Sequence, residues 1–270
     1  MKINNTNIQT TYHTHLLDTN YKDLLCYPPL KKLPSNDWAE YYGKEYDTTT
    51  PVLDTQQYTL TFISKATHYT SFITFLTAQT YNDFHFEELG KTFRLRFVSA
   101  QKAKTEQGYI TTDITLANDT PLQGYTYTVP NASLPLSGFT IDGTDLSKYG
   151  IYILEETQNT LLPTYEVKEH LTTTSNTLVG VQYAQHANTF KECTLTLHCY
   201  ISQPLTSFWQ LYDALLYNLT KQGERTINIP PSFGGVGGGL KAIYQKASIK
   251  NALLISNTLK VEFTLTFVLI

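Results

Sequence analysis

The glycine-rich segment 233–241 comes close to a known chemical motif, the phosphate-binding loop. Such a loop needs lysine directly after its last glycine and then serine or threonine, so that the ammonium and the hydroxyl reach phosphate and magnesium. Here Leu240 takes the lysine position, Lys241 comes one residue late, and Ala242 follows it. The dinucleotide pattern also lacks its third glycine, and the segment joins two predicted strands. We therefore predict a flexible inter-strand loop that contributes to a subunit interface and binds no nucleotide. Its residues are Gly234, Gly235, Val236, Gly237, Gly238 and Gly239.

Two histidine patterns suggest metal or nucleophile chemistry, and both are incomplete. His13 and His15 stand two residues apart, on one face of a predicted strand, where they could chelate a metal ion. Nothing near them in the sequence completes a site, and we predict no metal. His198 lies next to Cys199 on another predicted strand, where adjacent side chains point to opposite faces. The two therefore cannot form a nucleophile–base pair directly.

The acidic pairs Glu87-Glu88 and Glu155-Glu156 would matter in a glycosidase if the fold brought them about 5–9 Å apart. The first pair precedes Leu89-Gly90, a predicted turn, where neighbouring acids are usually solvated. The sequence also contains no G-x-S-x-G or H-E-x-x-H motif. We predict no enzymatic activity, no catalytic residue and no cofactor.

Several tyrosines fall in segments predicted to be irregular or to link domains. An exposed tyrosine can stack on a sugar or anchor a protein interface. We favour subunit interfaces over glycan contact for these side chains, which are Tyr41, Tyr42, Tyr46, Tyr125 and Tyr127.

The composition is typical of a β-rich protein with reduced cysteines. The 270 residues include 20 Tyr and 13 Phe, and threonine-rich alternating runs are frequent. A net charge of −3 without a basic run argues against nucleic acid as an external ligand, but it allows DNA to pass through a neutral or acidic channel. Cys193 and Cys199 would lie roughly 20 Å apart on one strand, too far for a disulfide. We expect no signal peptide, and no run approaches the roughly 20 apolar residues of a membrane span.

The stretches 53–116 and 178–267 show the same order of strand and helix patterns, which predicts a duplicated domain. The offset between matching patterns grows steadily along the chain, from the pair Leu60 and Leu195 to the pair Ile114 and Phe263, as insertions in loops would produce. Each copy contains one amphipathic helix, expected to cover a β-sheet. The helices are predicted at about 70–80, capped by Ser71, and at about 206–220, capped by Thr206 or Ser207.

These patterns predict a mainly β fold with one flanking helix per domain, a β-sandwich or open barrel duplicated in tandem. The first domain spans 1–120, and its residues 1–16 form either a strand or an arm that orders only against a neighbour. Residues 121–137 form a linker, and 138–270 form the second domain. The last strand alternates cleanly, with Leu259, Val261, Phe263, Leu265, Phe267 and Leu269 on one face and Lys260, Glu262, Thr264 and Thr266 on the other.

A set of spaced segments in both halves matches one known group of proteins. The segments are Leu24–Lys32, Asn36-Asp37, Gly43-Lys44, Leu60–Phe62 and Phe93–Ser99 in the first half, and Ile141–Leu146 and Tyr149–Ile151 in the second. Together they resemble structural tail proteins of phages and prophages of Bacteroidetes bacteria, and the resemblance spans most of both halves. It implies the tail-tube type of fold, in which sheets of neighbouring subunits join into a ring around a DNA channel. The family offers no catalytic residues.

We therefore predict a virion structural protein of a phage tail: a distal tail protein, another tail-tip component of the baseplate, or a tail-tube subunit. It would form a homo-oligomeric ring, trimer or hexamer, by lateral pairing of strands and loops that hides sheet edges. Its partners would be other phage tail proteins, with DNA only as channel cargo and no membrane insertion. Assembly would take place in the cytoplasm of the bacterial host. The alternative is a carbohydrate-binding, adhesive module that recognises the host surface.

Overall fold

The computed structural model describes residues 1–17, 21–101, 104–161, 166–169, 172–177, 179–183, 188–235 and 238–270. Within these ranges the chain is mainly β, and its sheets are antiparallel. Each half is built around one large sheet and carries one long helix.

The first half builds its sheet from both ends of its sequence. Its elements are β1 (Lys2–Ile3), β2 (Thr6–Asn7), α1 (Ile8–Tyr12), β3 (Thr14–Leu16), α2 (Tyr21–Leu25), β4 (Ser35–Asn36), β5 (Glu45–Tyr46), β6 (Gln56–Lys65), α3 (Ala66–Thr77), β7 (Tyr81–Phe86), β8 (Lys91–Ala100), β9 (Lys104–Glu106) and β10 (Tyr109–Asn118). The strand order is β2-β1-β7-β8-β10-β6-β3, and β9 pairs with β10. Strands β4 and β5 form a separate hairpin within the long connection from β3 to β6.

The second half follows after residues 119–139, which form turns and irregular backbone. Its elements are β11 (Thr140–Ile141), β12 (Thr144–Asp145), a 3-10 helix (Leu146–Tyr149), β13 (Ile151–Ile153), a 3-10 helix (Glu155–Thr160), β14 (Thr172–Thr173), β15 (Gln182–Tyr183), β16 (Cys193–Pro204), α4 (Leu205–Leu219), β17 (Arg225–Asn228), a 3-10 helix (Pro231–Phe233), β18 (Leu240–Ile255) and β19 (Thr258–Leu269). The strand order is β12-β11-β17-β18-β19-β16-β13. Strands β14 and β15 form a separate hairpin.

Strand β19 illustrates how the alternating pattern sets the buried face of a sheet. Its apolar residues from Leu259 to Phe267 are at most 1% exposed, whereas the polar residues between them are partly exposed. The predicted faces are confirmed, except that Leu269 at the end of the strand is only half-buried.

The two long helices bury the apolar stripes predicted for them, but both begin earlier than predicted. Phe72 and Leu76 of α3 and Phe208 of α4 are completely buried. Ser71 lies inside α3, where its hydroxyl donates to the carbonyl of His68, and Ser207 donates to the carbonyl of Pro204. The predicted caps are wrong because each helix starts directly at the end of a strand, without a capping side-chain hydrogen bond. No helix in the described part of the chain is both long enough and apolar enough to span a membrane.

The N-terminal segment 1–16 contributes β1, β2 and β3 to the first sheet, so the alternative of an arm that orders only against a neighbour is wrong. Ile3 is completely buried and pairs with Phe84 of β7. His13 ends α1 with a left-handed backbone (φ 47°), whereas His15 lies in β3. The two histidines therefore do not share one face of a strand, contrary to the prediction.

The buried cores of the two halves form one continuous hydrophobic cluster. Helix α2 of the first half packs against β18 of the second. Tyr27, just after α2, contacts the rings of Tyr212 and Phe263 at centroid distances of 4.2 and 6.2 Å. The junction between the halves is thus packed like a protein interior.

Candidate functional site at the junction of the halves

The glycine-rich loop joins β17 to β18, as predicted. Gly234 ends the preceding 3-10 helix with φ 82°, and its N–H donates to the carbonyl of Pro231 at 2.9 Å. Gly238 has φ 118°. Both conformations favour glycine over other residues. Val236 and Gly237 lie outside the described residues.

Two other glycines of this loop are required by close approach to β17 and to the residue that follows it. A Cβ at Gly235 would stand 2.0 Å from the carbonyl oxygen of Ile229, and one at Gly239 would stand 2.3 Å from Cγ2 of Thr226. These contacts give the glycines a structural reason that needs no ligand. The role of the loop in a subunit interface stays a prediction.

The turn between β7 and β8 binds helix α4 of the second half. The indole Nε1 of Trp209 donates to the carbonyl of Leu89 at 2.7 Å. The ammonium of Lys91 donates to both carboxylate oxygens of Asp213 at 2.8 and 2.6 Å, and it lies 4.0 Å from the centre of the Trp209 ring. Phe93 packs edge-on against the same ring. One short segment of the first half therefore uses a hydrogen bond, an ion pair and a cation–π contact on one helix face.

Burial opposes both charges of the Lys91–Asp213 pair. Desolvation raises the pKa of Asp213 and lowers the pKa of Lys91, and in each case the attraction of the partner acts in the opposite direction. The pair lines a cleft of about 540 Å³ between the halves. Since each charged atom already has its partner, the arrangement holds the halves together and presents no free acid or base.

Three buried tyrosines join the halves by hydrogen bonds to backbone carbonyls. Tyr27 donates to Tyr212 at 2.5 Å, Tyr212 donates to Leu25 at 2.7 Å, and Tyr244 donates to Pro28 at 3.1 Å. Burial raises the pKa of all three phenols well above its usual range. They therefore remain neutral donors, and each has the acceptor that a buried hydroxyl needs.

A buried lysine of the second half binds the tip of the β4–β5 hairpin. Lys168 is only 8% exposed and donates to the Asp37 carboxylate at 2.7 Å, to the Trp38 carbonyl at 2.8 Å and to the Gly43 carbonyl. The hydrogen bond from Lys168 lowers the pKa of Asp37. Thr189 donates from its hydroxyl to the carbonyl of Ala39 at 2.5 Å. The hairpin tip is thus held by side chains from the other half.

The loop tyrosines predicted for subunit interfaces fall into two groups. Tyr46 donates to Glu192, and Tyr125 and Tyr127 pack on Tyr217 of α4, so these three belong to contacts within the chain. Tyr41 and Tyr42 are each 69% exposed at the hairpin tip, although Tyr42 also stacks on Phe190.

The other residues considered for chemistry have structural surroundings. Glu87 pairs with the Met1 amino group at 3.0 Å, and Glu156 lies 3.9 Å from Lys250. Cys199 is completely buried, which raises the pKa of its thiol. Within the described ranges, no group of three or more His, Cys, Asp or Glu side chains could hold a metal ion.

The sequence prediction missed the residues that make the junction. Trp209 and Asp213 are four residues apart, so they lie on one face of α4 beside its apolar stripe. This second face was the available sequence signal that α4 has a further contact. Nothing in the sequence around Lys168 marks it as buried.

Neither the protein-family models nor the curated proteins contain a match to this chain.

Proposed function

We propose that the two halves are copies of one domain and that the chain is a structural subunit of a phage-tail ring, as a distal tail, tail-tip or tube component. The phage-tail role rests on the resemblance of the spaced segments in both halves, and the observation that carries the duplication is the strand order. When the strands are matched in sequence order and β9 is left aside, the orders β2-β1-β7-β8-β10-β6-β3 and β12-β11-β17-β18-β19-β16-β13 become identical. The long helix follows the sixth strand of the order, β6 or β16, in both halves.

Local details of the two N-terminal hairpins support the duplication. The turn residues Asn4 and Asn5 have φ of 49° and 63°, and Asp142 and Gly143 have φ of 51° and 78°. After each hairpin a side chain caps a short helix. Asn7 accepts from the N–H of Gln9, and Asp145 accepts from the N–H of Ser147. All these matched positions share one constant offset, the one that separates Asn4 from Asp142.

The long connections before β6 and β16 also match, at the nearly equal offset that separates Leu30 from Val167. Leu30 bridges Leu53 in the first half, and Val167 bridges Phe190 in the second. The hairpins β4–β5 and β14–β15 obey the same offset. The repeat would thus begin near residues 2 and 140, earlier than the stretches 53–116 and 178–267 indicate.

The matching of Ser71 with Ser207 is replaced by a different alignment of the helices. Strand β6 ends at Lys65 and β16 ends at Pro204, and a helix follows each directly. Lys65 pairs with Tyr109 and Pro204 pairs with Thr258, so strand register supports the same match. The helices therefore align at the offset that separates Lys65 from Pro204, which is slightly larger than the offset of the N-terminal hairpins.

The exposed end of one strand supports assembly of the duplicated chain. Strand β17 pairs with β18 only over Leu240–Ala242. Further along, the first half covers β18, where Leu30 donates its N–H to the carbonyl of Gln245 and helix α2 packs on the strand. Leu253 and Ile255 near the end of β18 are 51% and 45% exposed. Exposed apolar side chains at the end of a strand favour contact with another chain. In a closed ring such side chains are covered.

The experiment is a mass measurement of the purified protein over a range of concentrations, combined with negative-stain imaging. We expect trimers or hexamers that appear as rings with a central channel. A particle that stays monomeric at every concentration would contradict the proposal.

A second candidate, glycan binding, is favoured by the aromatic tip of the β4–β5 hairpin. Trp38, Tyr41 and Tyr42 are 51%, 69% and 69% exposed there, and exposed aromatic rings can stack on sugars. Calorimetric titration with host-surface polysaccharide tests this candidate. Binding that is lost in Tyr41→Ala while ring formation persists would support it.

A further inference from the structure

We propose that a second copy of this chain docks head-to-tail on the first half, in the way that the first half already contacts the second within one chain. The inference rests on the proposed function, because it treats the halves as copies of one domain. The surface involved, named the docking face, consists of Lys31, Val52, Thr70, Thr74 and Thr77.

Helix α4 provides the first template for the docking face. Within the chain it presents Trp209 and Asp213 to the turn between β7 and β8, and Leu216 is buried beside them. With Lys65 matched to Pro204, these three positions correspond to Thr70, Thr74 and Thr77 of α3. All three threonines are exposed. The same helix face is thus covered in one half and open in the other.

The long connection before β16 provides the second template. Lys168 and Thr189 are buried, and both bind the tip of the β4–β5 hairpin. With Leu30 matched to Val167, they correspond to Lys31 and Val52. Lys31 is exposed, and Val52 is 52% exposed. Two separate parts of the first half therefore lack a cover that their counterparts have.

The second half carries the surfaces that would supply this cover. The hairpin tip around Gly43 corresponds to the segment around Gly180, and both glycines have a left-handed backbone, with φ of 60° and 77°. Val179 and Val181 beside Gly180 are exposed, and their apolar side chains are suited to contact the exposed side chain of Val52 on another copy.

The turn between β7 and β8 has its counterpart in the glycine-rich loop. Phe84 pairs with Phe93, and Ile227 pairs with Leu240, so Lys91 corresponds to Gly238. The described part of the glycine loop thus takes the place of the turn that binds α4. On a second copy it would contact α3.

Each chain therefore contains one junction between its own halves and exposes both surfaces that a second junction of the same kind would need. A contact of this kind joins different surfaces of two identical chains, and its repetition closes into a ring when the rotation allows it. The partner is another copy of this chain, since its second half carries the counterparts of the segments that fill the junction.

The experiment compares two matched pairs of exposed-site variants of the full chain. Lys31→Glu changes the docking face, and its control is Lys32→Glu, because Lys32 corresponds to Glu169, which is exposed. Thr74→Arg changes the helix face, and its control is Ser71→Arg, because Ser71 corresponds to Gln210, which stays exposed beside the occupied junction. Circular dichroism and thermal unfolding establish that each variant is folded.

Mass photometry over a dilution series measures the protein concentration at which half of the chains are assembled. We expect this concentration to rise at least about tenfold for Lys31→Glu and Thr74→Arg, which corresponds to about 1.4 kcal/mol per contact. The two controls should stay within about twofold of the unmodified protein.

Two results would overturn the inference in distinguishable ways. If the unmodified chain assembles but both docking-face variants assemble equally well, the docking face is wrong and the ring proposal stands. If the unmodified chain never assembles, the proposed function fails together with the inference.

Discussion

Removing one partner of the Lys91–Asp213 pair should destabilise the protein far more than replacing both. The side chains of Lys91 and Asp213 are 24% and 18% exposed, and their charged atoms approach to 2.6 Å. Burial raises the pKa of Asp213 and lowers the pKa of Lys91, and each shift favours the neutral form of the group. Such a pair gains little over apolar residues of similar size, but a single charge left behind is costly.

The magnitude follows from the environment of each charge. An uncompensated buried charge costs about 3–5 kcal/mol, and the residual exposure of this pair reduces that to about 2–3 kcal/mol for Asp213→Leu. Lys91→Met should cost about 1 kcal/mol more, because it also removes the cation–π contact with Trp209. The double variant should lie within about 1 kcal/mol of the unmodified protein. At about 2–4 °C per kcal/mol, Asp213→Leu should lower Tm by about 5–10 °C.

The sign of the pH dependence also follows. Since the folded-state pKa of Asp213 is raised, the folded state holds its proton more tightly than the unfolded state, and stability falls as pH rises through that pKa. The cost of Lys91→Met should therefore shrink as the pH is lowered toward the pKa of Asp213.

The assay is urea unfolding, followed by tryptophan fluorescence and arranged as a double-mutant cycle. The control is Lys104→Met in the exposed Lys104–Glu106 pair, whose side chains are 76% and 70% exposed and which should change stability by less than about 1 kcal/mol. A double variant whose loss equals the sum of the two single losses would refute the reasoning.

Three further predictions concern the hydrophobic core, stability at low pH and the reactivity of the thiols. Phe263→Asp places a charge at a completely buried position and should prevent folding of the second half. Glu262→Gln loses only a partly exposed partner of Lys250 and should change Tm by a few degrees at most. Equal melting temperatures of the two variants would show that the faces of β19 are wrong. Hydrogen bonds from Arg96 lower the pKa of Asp119, so this pair stabilises the fold above the ordinary pKa of about 3.8 and loses that effect as pH falls through the lowered value. Asp119→Asn should therefore cost about 1 kcal/mol near pH 7 and progressively less below about pH 4 in acid unfolding, and a constant difference would contradict this. Burial raises the pKa of Cys26 to about 11 and also raises that of Cys199. The native protein should therefore react slowly with a disulfide reagent near pH 8, whereas unfolded protein exposes all three thiols. Rapid labelling of the native protein would contradict this prediction.

Regular periodicity made the strands and helix stripes predictable from sequence. The alternation in β19 and the spacing of Phe208, Leu211 and Leu215 in α4 report directly which face is buried. The first residues of the helices were harder to predict from sequence. Lys65 and Pro204 each end a strand, and a helix follows directly without a capping side chain. Sequence signals for a cap therefore pointed to the wrong residues.

Contacts between distant residues could not be read from local patterns. Strand β1 has only two residues, too few for periodicity, and it forms because Ile3 pairs with Phe84. Lys91 and Asp213 meet across 122 positions, and the burial of Lys168 depends on a hairpin far earlier in the chain. These features depend on the packing of one half against the other.

The stretch 119–139 has a kinetic consequence because it connects the two halves covalently. Its Tyr127 stacks on Tyr217, and Ala132 donates its N–H to the carbonyl of Lys148, so the connection itself is packed against the second half. A short tether raises the effective concentration of one half near the other to the millimolar range. If the chains close into a ring, every second junction would form within a molecule at a rate independent of dilution. Only the remaining junctions would respond to the amount of protein, so the concentration threshold for assembly would report on a single kind of contact.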